Sequence, residues 1–257
     1  MKTNFWFLLI AVLIISSQSF SAIGQEYKPF SKLDASLRFS TMGLGLEAIT
    51  PLSPNFRARA GVDYLGFNTS HYNISLEDNG GYLNKAFGYT PDYRAKFGLS
   101  MFHGHLLVDY HPMPTGIFYI TAGVYAGSNK IDLDGFLSNP ENDNMAVLLP
   151  GMEWPELDLD GHKIDVTNGY VEDLELKLGG AIKPYLGFGL GRTFGKSKFG
   201  YKVELGVLYQ GDYSVKQSGV KIDEDSTGLN DFEDIDKYTK WLKWWPMVNF
   251  QLTYNIF

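Results

Sequence analysis

Apolar and polar residues alternate through most of this chain, in segments of about ten residues that begin near residue 35. Residues 56–64 show the pattern most clearly, because the sequence FRARAGVDY places Phe, Ala, Ala, Val and Tyr on one face of an extended strand. The opposite face then carries Arg, Arg, Gly and Asp. Such a strand needs an apolar medium on one side and a polar medium on the other. A transmembrane β-barrel supplies both.

The N-terminus has the features of a secretory signal peptide. Lys2 precedes an apolar run over residues 5–15, which is shorter than the roughly 20 residues that a membrane-spanning helix needs. Small residues follow the run, so we expect cleavage after Gly24, with cleavage after Ala22 and an uncleaved anchor as the alternatives. The prediction is a signal peptide at 1–24 and a single barrel domain at 25–257.

Composition narrows the function classes. The chain has no cysteine, which excludes a disulfide framework, cysteine-based zinc sites and a lipid-modified N-terminal cysteine. A net charge of -7 disfavours a nucleic-acid partner. The 28 glycines, 16 tyrosines and 18 phenylalanines suit a small barrel with a crowded interior and aromatic girdles at the membrane interfaces.

Seven segments read as membrane strands. They are residues 36–50, 56–67, 93–111, 117–128, 174–192, 200–210 and 247–257. A closed barrel with both termini in the periplasm needs an even number of strands. We therefore predict an all-β, antiparallel up-and-down barrel of eight strands, with ten as the alternative. The eighth strand is expected in residues 26–34, 162–172 or 212–222.

Short turns alternate with long polar segments between these strands. Pro-rich turns at 51–55 and 111–116 indicate the periplasmic end. The segments at 68–92, 129–170 and 211–243 are long and polar, which is typical of external loops.

Four segments in order resemble the small porin-like outer-membrane β-barrel proteins of Gram-negative bacteria. They are GLGLEA at 43–48, DYHP at 109–112, PYLGFG at 184–189 and the terminal strand from Trp245 to Phe257. The resemblance implies a barrel fold and an outer-membrane location. It also implies outer-membrane lipid as a partner, together with periplasmic chaperones and the barrel-assembly machinery during biogenesis.

Polar and charged residues at the inward positions of the strands are the first candidate site. The predicted lumen-lining residues are Arg57, Arg59, Asp63, His103, His105, Asp109, Lys202 and Glu204. Mixed charges pair and plug a small barrel, whereas they line the pore of a wider one. Eight strands leave an interior about wide enough for side chains, which favours plugging.

Histidines on one strand allow a second interpretation. His103 and His105 share a face with His111 and lie about 7 Å apart along the strand, close enough to share a metal or to act with a neighbouring serine. A barrel enzyme acting on membrane lipid would need such a pair. Strand alternation by itself, however, also requires polar residues at these positions.

The acidic segment at 223–234 matches a calcium-loop template. Oxygen ligands fall at positions 1, 3, 5, 9 and 12, with a glycine at position 6; the residues are Asp223, Asp225, Thr227, Asp231 and Asp234. Thr at position 5 and Asp at position 12 depart from the template. The alternative is a solvated acidic loop, and the prediction is no cofactor, with calcium as the exception to test.

These observations predict a non-enzymatic outer-membrane barrel whose external loops meet a partner. A narrow channel for ions or small solutes and a barrel enzyme acting on membrane lipid are the alternatives. A secreted soluble barrel of lipocalin type would place its apolar face inside, and the glycine-rich charged face of this chain makes a poor core for it.

Overall fold

The computed structural model describes residues 28–159, 162–191, 197–222 and 243–257. The predicted signal peptide at 1–24 and the predicted calcium loop lie outside these ranges. No helix within the described ranges is both long enough and apolar enough to cross a membrane.

The described residues form fourteen strands and one short helix. In chain order they are β1 (Asp34–Ser40), β2 (Gly43–Pro51), β3 (Phe56–Asn68), β4 (Tyr72–Ser75), α1 (Tyr82–Phe87), β5 (Asp92–Tyr110), β6 (Phe118–Ser138), β7 (Leu157–Leu159), β8 (His162–Ile164), β9 (Tyr170–Leu178), β10 (Ile182–Gly191), β11 (Phe199–Tyr209), β12 (Ser214–Gln217), β13 (Val220–Ile222) and β14 (Trp244–Asn255).

Eight strands close into an antiparallel ring in the order β1-β2-β3-β5-β6-β10-β11-β14, and β14 pairs back onto β1. Each ring strand pairs with the next ring strand in sequence, so the topology is up-and-down. The predicted eight-stranded transmembrane β-barrel is therefore confirmed. Closure removes every exposed strand edge from the ring, and a membrane requires this because lipid cannot satisfy backbone hydrogen bonds.

The eighth strand arises where the sequence predicted a single strand over 36–50. This segment is the hairpin of β1 and β2, and the three expected positions at 26–34, 162–172 and 212–222 were wrong. The apolar phase changes within it, since Leu37 and Phe39 occupy odd positions whereas Leu44 and Leu46 occupy even ones. A strand keeps one parity on each face, so a change of parity requires a turn or a bulge.

Outward side chains of the ring make a continuous apolar belt. Leu46, Leu186, Phe188 and Phe250 are 65%, 58%, 54% and 54% exposed, as expected for side chains that face lipid. Rings cluster at both rims of the belt: Phe56, Tyr110, Phe199 and Tyr254 near the chain termini, and Tyr64, Phe102, Tyr209 and Trp244 at the other rim. The nine residues from 118 to 126 span about 27 Å along β6, which suits a tilted transmembrane strand.

Strands β5 and β6 continue past the belt at the end opposite both chain termini, the predicted external end. There β4 joins β5, and β9, β12 and β13 join β6 in turn, giving the order β4-β5-β6-β9-β12-β13. We call these paired segments the external sheet. The segments predicted as loops thus contain ordered elements. The predicted strand at 174–192 is two elements, β9 and β10, separated at Gly179, whose φ of +75° favours glycine.

The inner face of the external sheet covers a hydrophobic core of its own. Helix α1 and strands β7 and β8 pack on that face, and Leu83, Leu137 and Val215 are fully buried there. Strand β6 shows how the two cores differ. Between residues 119 and 129 its inward side chains include buried Tyr, Thr and Asn, whereas the inward residues above them are Ile131, Leu133 and Leu137.

The outer face of β6 reverses in the opposite sense. It is apolar from Phe118 to Ala126 and then carries Lys130, Asp132 and Asp134. Both faces of β6 therefore change polarity where the strand leaves the membrane. Its lipid-facing side becomes water-facing, and its lumen-facing side becomes part of a protein core.

Candidate functional site

Arg59 is the centre of a charged network that crosses the barrel lumen. It projects inward from β3, and its guanidinium contacts carboxylates on three other strands. The distances are 3.0 Å to Glu47, 2.9 Å to Asp109 and 2.6 Å to Glu204. All four side chains have zero exposure, so these hydrogen bonds form in a low-dielectric interior where charged groups need partners.

A second arginine, Arg38 of β1, extends the network toward the external end. It donates to the Tyr125 hydroxyl at 2.8 Å and to Asn249 Oδ1 at 3.1 Å. Glu47 and Asp63 each lie 3.4 Å from its Nη1 atom. Arg38 thus links strands on opposite sides of the ring.

Lys202 completes the set of cations. Its Nζ atom lies 2.6 Å from Asp109 Oδ2 and 4.1 Å from the centroid of the Tyr119 ring, so it combines an ion pair with a cation–π contact. Glu204, two residues further along β11, also accepts hydrogen bonds from Tyr185 at 2.7 Å and Asn249 at 3.0 Å.

All eight residues predicted to line the lumen are buried, with exposures of 8% or less. Most of them belong to one connected network; Arg57 and His103 lie elsewhere in the interior. Sequence reasoning did not include Arg38 and Glu47 among the site residues, although both are central to the network. Arg38 was missed because the segment 36–50 was read with one parity, which assigns the wrong face to β1.

His103 and His105 of β5, and His111 directly after its end, contact different partners. His105 lies between Glu47 and Asp63, with a ring nitrogen 2.9 Å from an oxygen of each. His103 lies 3.3 Å from Lys183 Nζ. His111 lies 2.8 Å from Arg57 and stacks on the Tyr119 ring.

Of the two predicted metal sites, only the histidine pair lies within the described ranges. The described ranges contain no group of three or more His, Asp or Glu side chains arranged to hold a metal ion. The calcium-loop residues Asp223, Asp225, Thr227, Asp231 and Asp234 fall outside the described ranges.

An apolar layer covers the charged network at the external mouth of the barrel. Met42, Met101 and Met247 are 0%, 0% and 1% exposed, and Leu208 packs with them at 0%. Leu65, Leu99 and Trp245 are partly buried around the same cluster. From the network outward, the lumen is therefore filled first by paired charges and then by methionine and leucine side chains.

Comparisons with known proteins find similar chains among solved structures. No protein-family model matches the chain, and no curated protein matches it. CarO2 of Acinetobacter baumannii is 16% identical, with a TM-score of 0.49, and the match covers 89% of this chain and 100% of that one. CarO of the same organism is 17% identical, with a TM-score of 0.46, covering 90% and 99%.

A third similar structure is a major outer membrane protein from Thermus thermophilus. It is 14% identical with a TM-score of 0.38, and the match covers 88% of this chain and 98% of that chain.

Proposed function

We propose that the protein is a non-conducting outer-membrane β-barrel that holds the external sheet and its core at the cell surface. Its role is then structural or interactive rather than enzymatic. The observation that carries the proposal is the network around Arg59, which joins four charged side chains of zero exposure across the lumen.

The membrane placement has its own support. The apolar belt, its aromatic rims and the closed ring suit the hydrocarbon layer of a bilayer. A signal peptide and an up-and-down barrel together favour the outer membrane of a Gram-negative bacterium. Mass spectrometry of the mature protein tests whether the signal peptide is cleaved, and the expected product is residues 25–257.

The lumen contents support the absence of conduction. A pore through the network would separate Arg59 from its three carboxylates or leave them solvated in a narrow space. Removing one partner from a buried ion pair costs about 3–5 kcal/mol, so spontaneous opening would be rare. The apolar layer of Met42, Met101 and Met247 would have to move as well.

Conductance in a planar bilayer is the decisive experiment. Refolded protein whose unheated form migrates faster than its boiled form on a denaturing gel should give no discrete conductance steps. A general porin in the same bilayers supplies the positive control. Discrete steps from the folded protein would refute the proposal and favour the narrow-channel alternative, with Arg59 and Glu204 as residues that set ion selectivity.

The lipid-enzyme alternative needs a separate assay. We expect no hydrolysis of membrane phospholipid by the folded barrel. Hydrolysis that disappears in His103→Ala would contradict the non-enzymatic role.

A further inference from the structure

A groove crosses the outer face of the external sheet. It consists of two adjoining depressions of about 520 and 360 Å³, which share Lys96, Asp134 and Asp173 in their linings. We call it the outer groove. Its volume is within the range of small-molecule and sugar-binding clefts.

The floor of the outer groove is a row of residues paired across neighbouring strands, and one of these residues is a glycine. Asp132 and Glu175 are directly paired in this row, and Gly98 and Asn68 continue it across β5 and β3. A Cβ atom at Gly98 would lie 2.9 Å from Asn68 Oδ1 and 3.6 Å from Asp132 Cβ. Any other residue at position 98 would therefore displace the Asn68 amide from the floor of the groove.

The lining carries charges of both signs in similar number. The larger depression has three lysines and four acidic residues: Lys96, Lys130, Lys216, Asp132, Asp134, Asp173 and Glu175. Lys130 donates to Glu175 at 2.6 Å, and this hydrogen bond raises the pKa of Lys130. Partial burial, with Glu175 beside it, raises the pKa of Asp132. A polyphosphate would meet four repelling groups and three attracting ones here.

Aromatic rings form the upper wall of the outer groove. Phe136 lies 6.3 Å from the ring of His71 and 6.0 Å from the ring of Tyr170, centroid to centroid. Tyr170 is 43% exposed. Aromatic faces beside mixed donors and acceptors suit a pyranose, whose C–H face packs on a ring and whose hydroxyls both donate and accept.

The position of the outer groove indicates that its ligand comes from the surrounding leaflet. Its residues continue the lipid-facing side of β5 and β6 without a change of register between those strands. Asp132 lies four residues beyond Ser128, about 13 Å along a strand that tilts by about 45°, which places it roughly 9 Å beyond the apolar belt, at the outer side of the headgroup layer. The groove therefore opens over the surrounding leaflet.

We infer that the outer groove binds the sugar headgroup of a glycolipid in the same leaflet, with Tyr170 as the stacking platform and Gly98 as the floor. The inference rests on the outer-membrane placement proposed above and adds a partner to it. The bound glycolipid would hold the external sheet against the membrane surface.

The test measures sugar binding by the folded barrel in detergent micelles. The probe is the dephosphorylated core oligosaccharide of lipopolysaccharide, freed of lipid, titrated by calorimetry. Gly98→Val and Tyr170→Ala should each raise the Kd about tenfold, since single central contacts dominate such sites.

Matched controls separate the groove from the fold. Gly104→Val lies on the same face of β5 within the apolar belt, where an added Cβ meets its nearest atoms at 3.9 and 4.0 Å. Tyr72→Ala removes a 69% exposed tyrosine that does not line the groove. Both should leave the Kd within about twofold, as neutral contacts do.

Four results would overturn the inference: no binding by the folded protein, equal binding in all variants, displacement of the oligosaccharide by inorganic phosphate, or equal affinity for maltoheptaose. Displacement would indicate an anion site, and equal affinity for maltoheptaose would indicate a soluble glucan. A barrel that conducts yet binds the oligosaccharide through the groove would refute only the non-conducting role.

Discussion

Replacing Arg59 with leucine should destabilise the barrel more than any exposed charge removal. The substitution deletes a cation that contacts Glu47, Asp109 and Glu204, each of zero exposure, and leaves their charges in the interior. Leucine fills part of the vacated space, so the main loss is electrostatic.

The loss of stability depends on which partners the carboxylates keep after Arg59 is removed. Asp109 keeps Lys202 at 2.6 Å, whereas the hydrogen-bond donors that remain to Glu204 are neutral: Tyr185 at 2.7 Å, and Asn249 and Thr121 at 3.0 Å each. Loss of one partner from a buried pair costs about 3–5 kcal/mol. With a denaturant slope of about 2 kcal/mol/M, the urea midpoint should fall by roughly 2 M.

The assay is the folded fraction of protein in lipid vesicles, read as heat-modifiable gel mobility after equilibration in urea. Arg94→Leu is the matched control, because Arg94 and Asp143 are 31% and 51% exposed and 3.3 Å apart, and an exposed pair contributes at most about 1 kcal/mol. The double variant Arg59→Leu, Glu204→Leu removes one stranded carboxylate and should recover more than about 1 kcal/mol.

A loss below about 1 kcal/mol for Arg59→Leu would refute the reasoning, because the carboxylates would then be satisfied without this cation. An additive double variant would refute the specific coupling between Arg59 and Glu204.

Further expectations concern packing. Gly206→Val should abolish the fast-migrating folded band, since a Cβ there would clash with the Tyr185 hydroxyl. Gly104→Val, the control, should fold normally. Equal folding of both variants would contradict the crowded interior. Leu83→Ala should destabilise the external core by about 2–5 kcal/mol and expose the external segments to protease, while the barrel keeps its heat shift. Val147→Ala, at a 76% exposed position, should change neither readout.

Several features of the site were readable from the sequence. Alternation assigned Arg59, Asp63 and Glu204 to the inward face, because side-chain parity within a strand is a local property. The sequence of β6 also contains the reversal of both faces near residue 128. The prediction nevertheless places residues 129–138 in the long loop at 129–170, which carries the acidic sequence DLDG at 132–135.

Other features needed tertiary structure. The partners of Arg59 come from three other strands, and residues separated by as many as 145 positions meet at 2.6 Å. No local pattern predicts such contacts. The place of Arg38 in the network follows only from the structure, in which β1 and β2 form a hairpin.

The sequence alone determined that this chain forms a barrel and, outside β1, which face of each membrane strand meets lipid, since a period of two residues is set by neighbouring positions. Tertiary structure decided where the eighth strand lies, the pairing of β1 with β14, the connected charges of the lumen and the external sheet with its own core. Those features depend on pairings between distant strands, and backbone ladders specify register only after the strands have met.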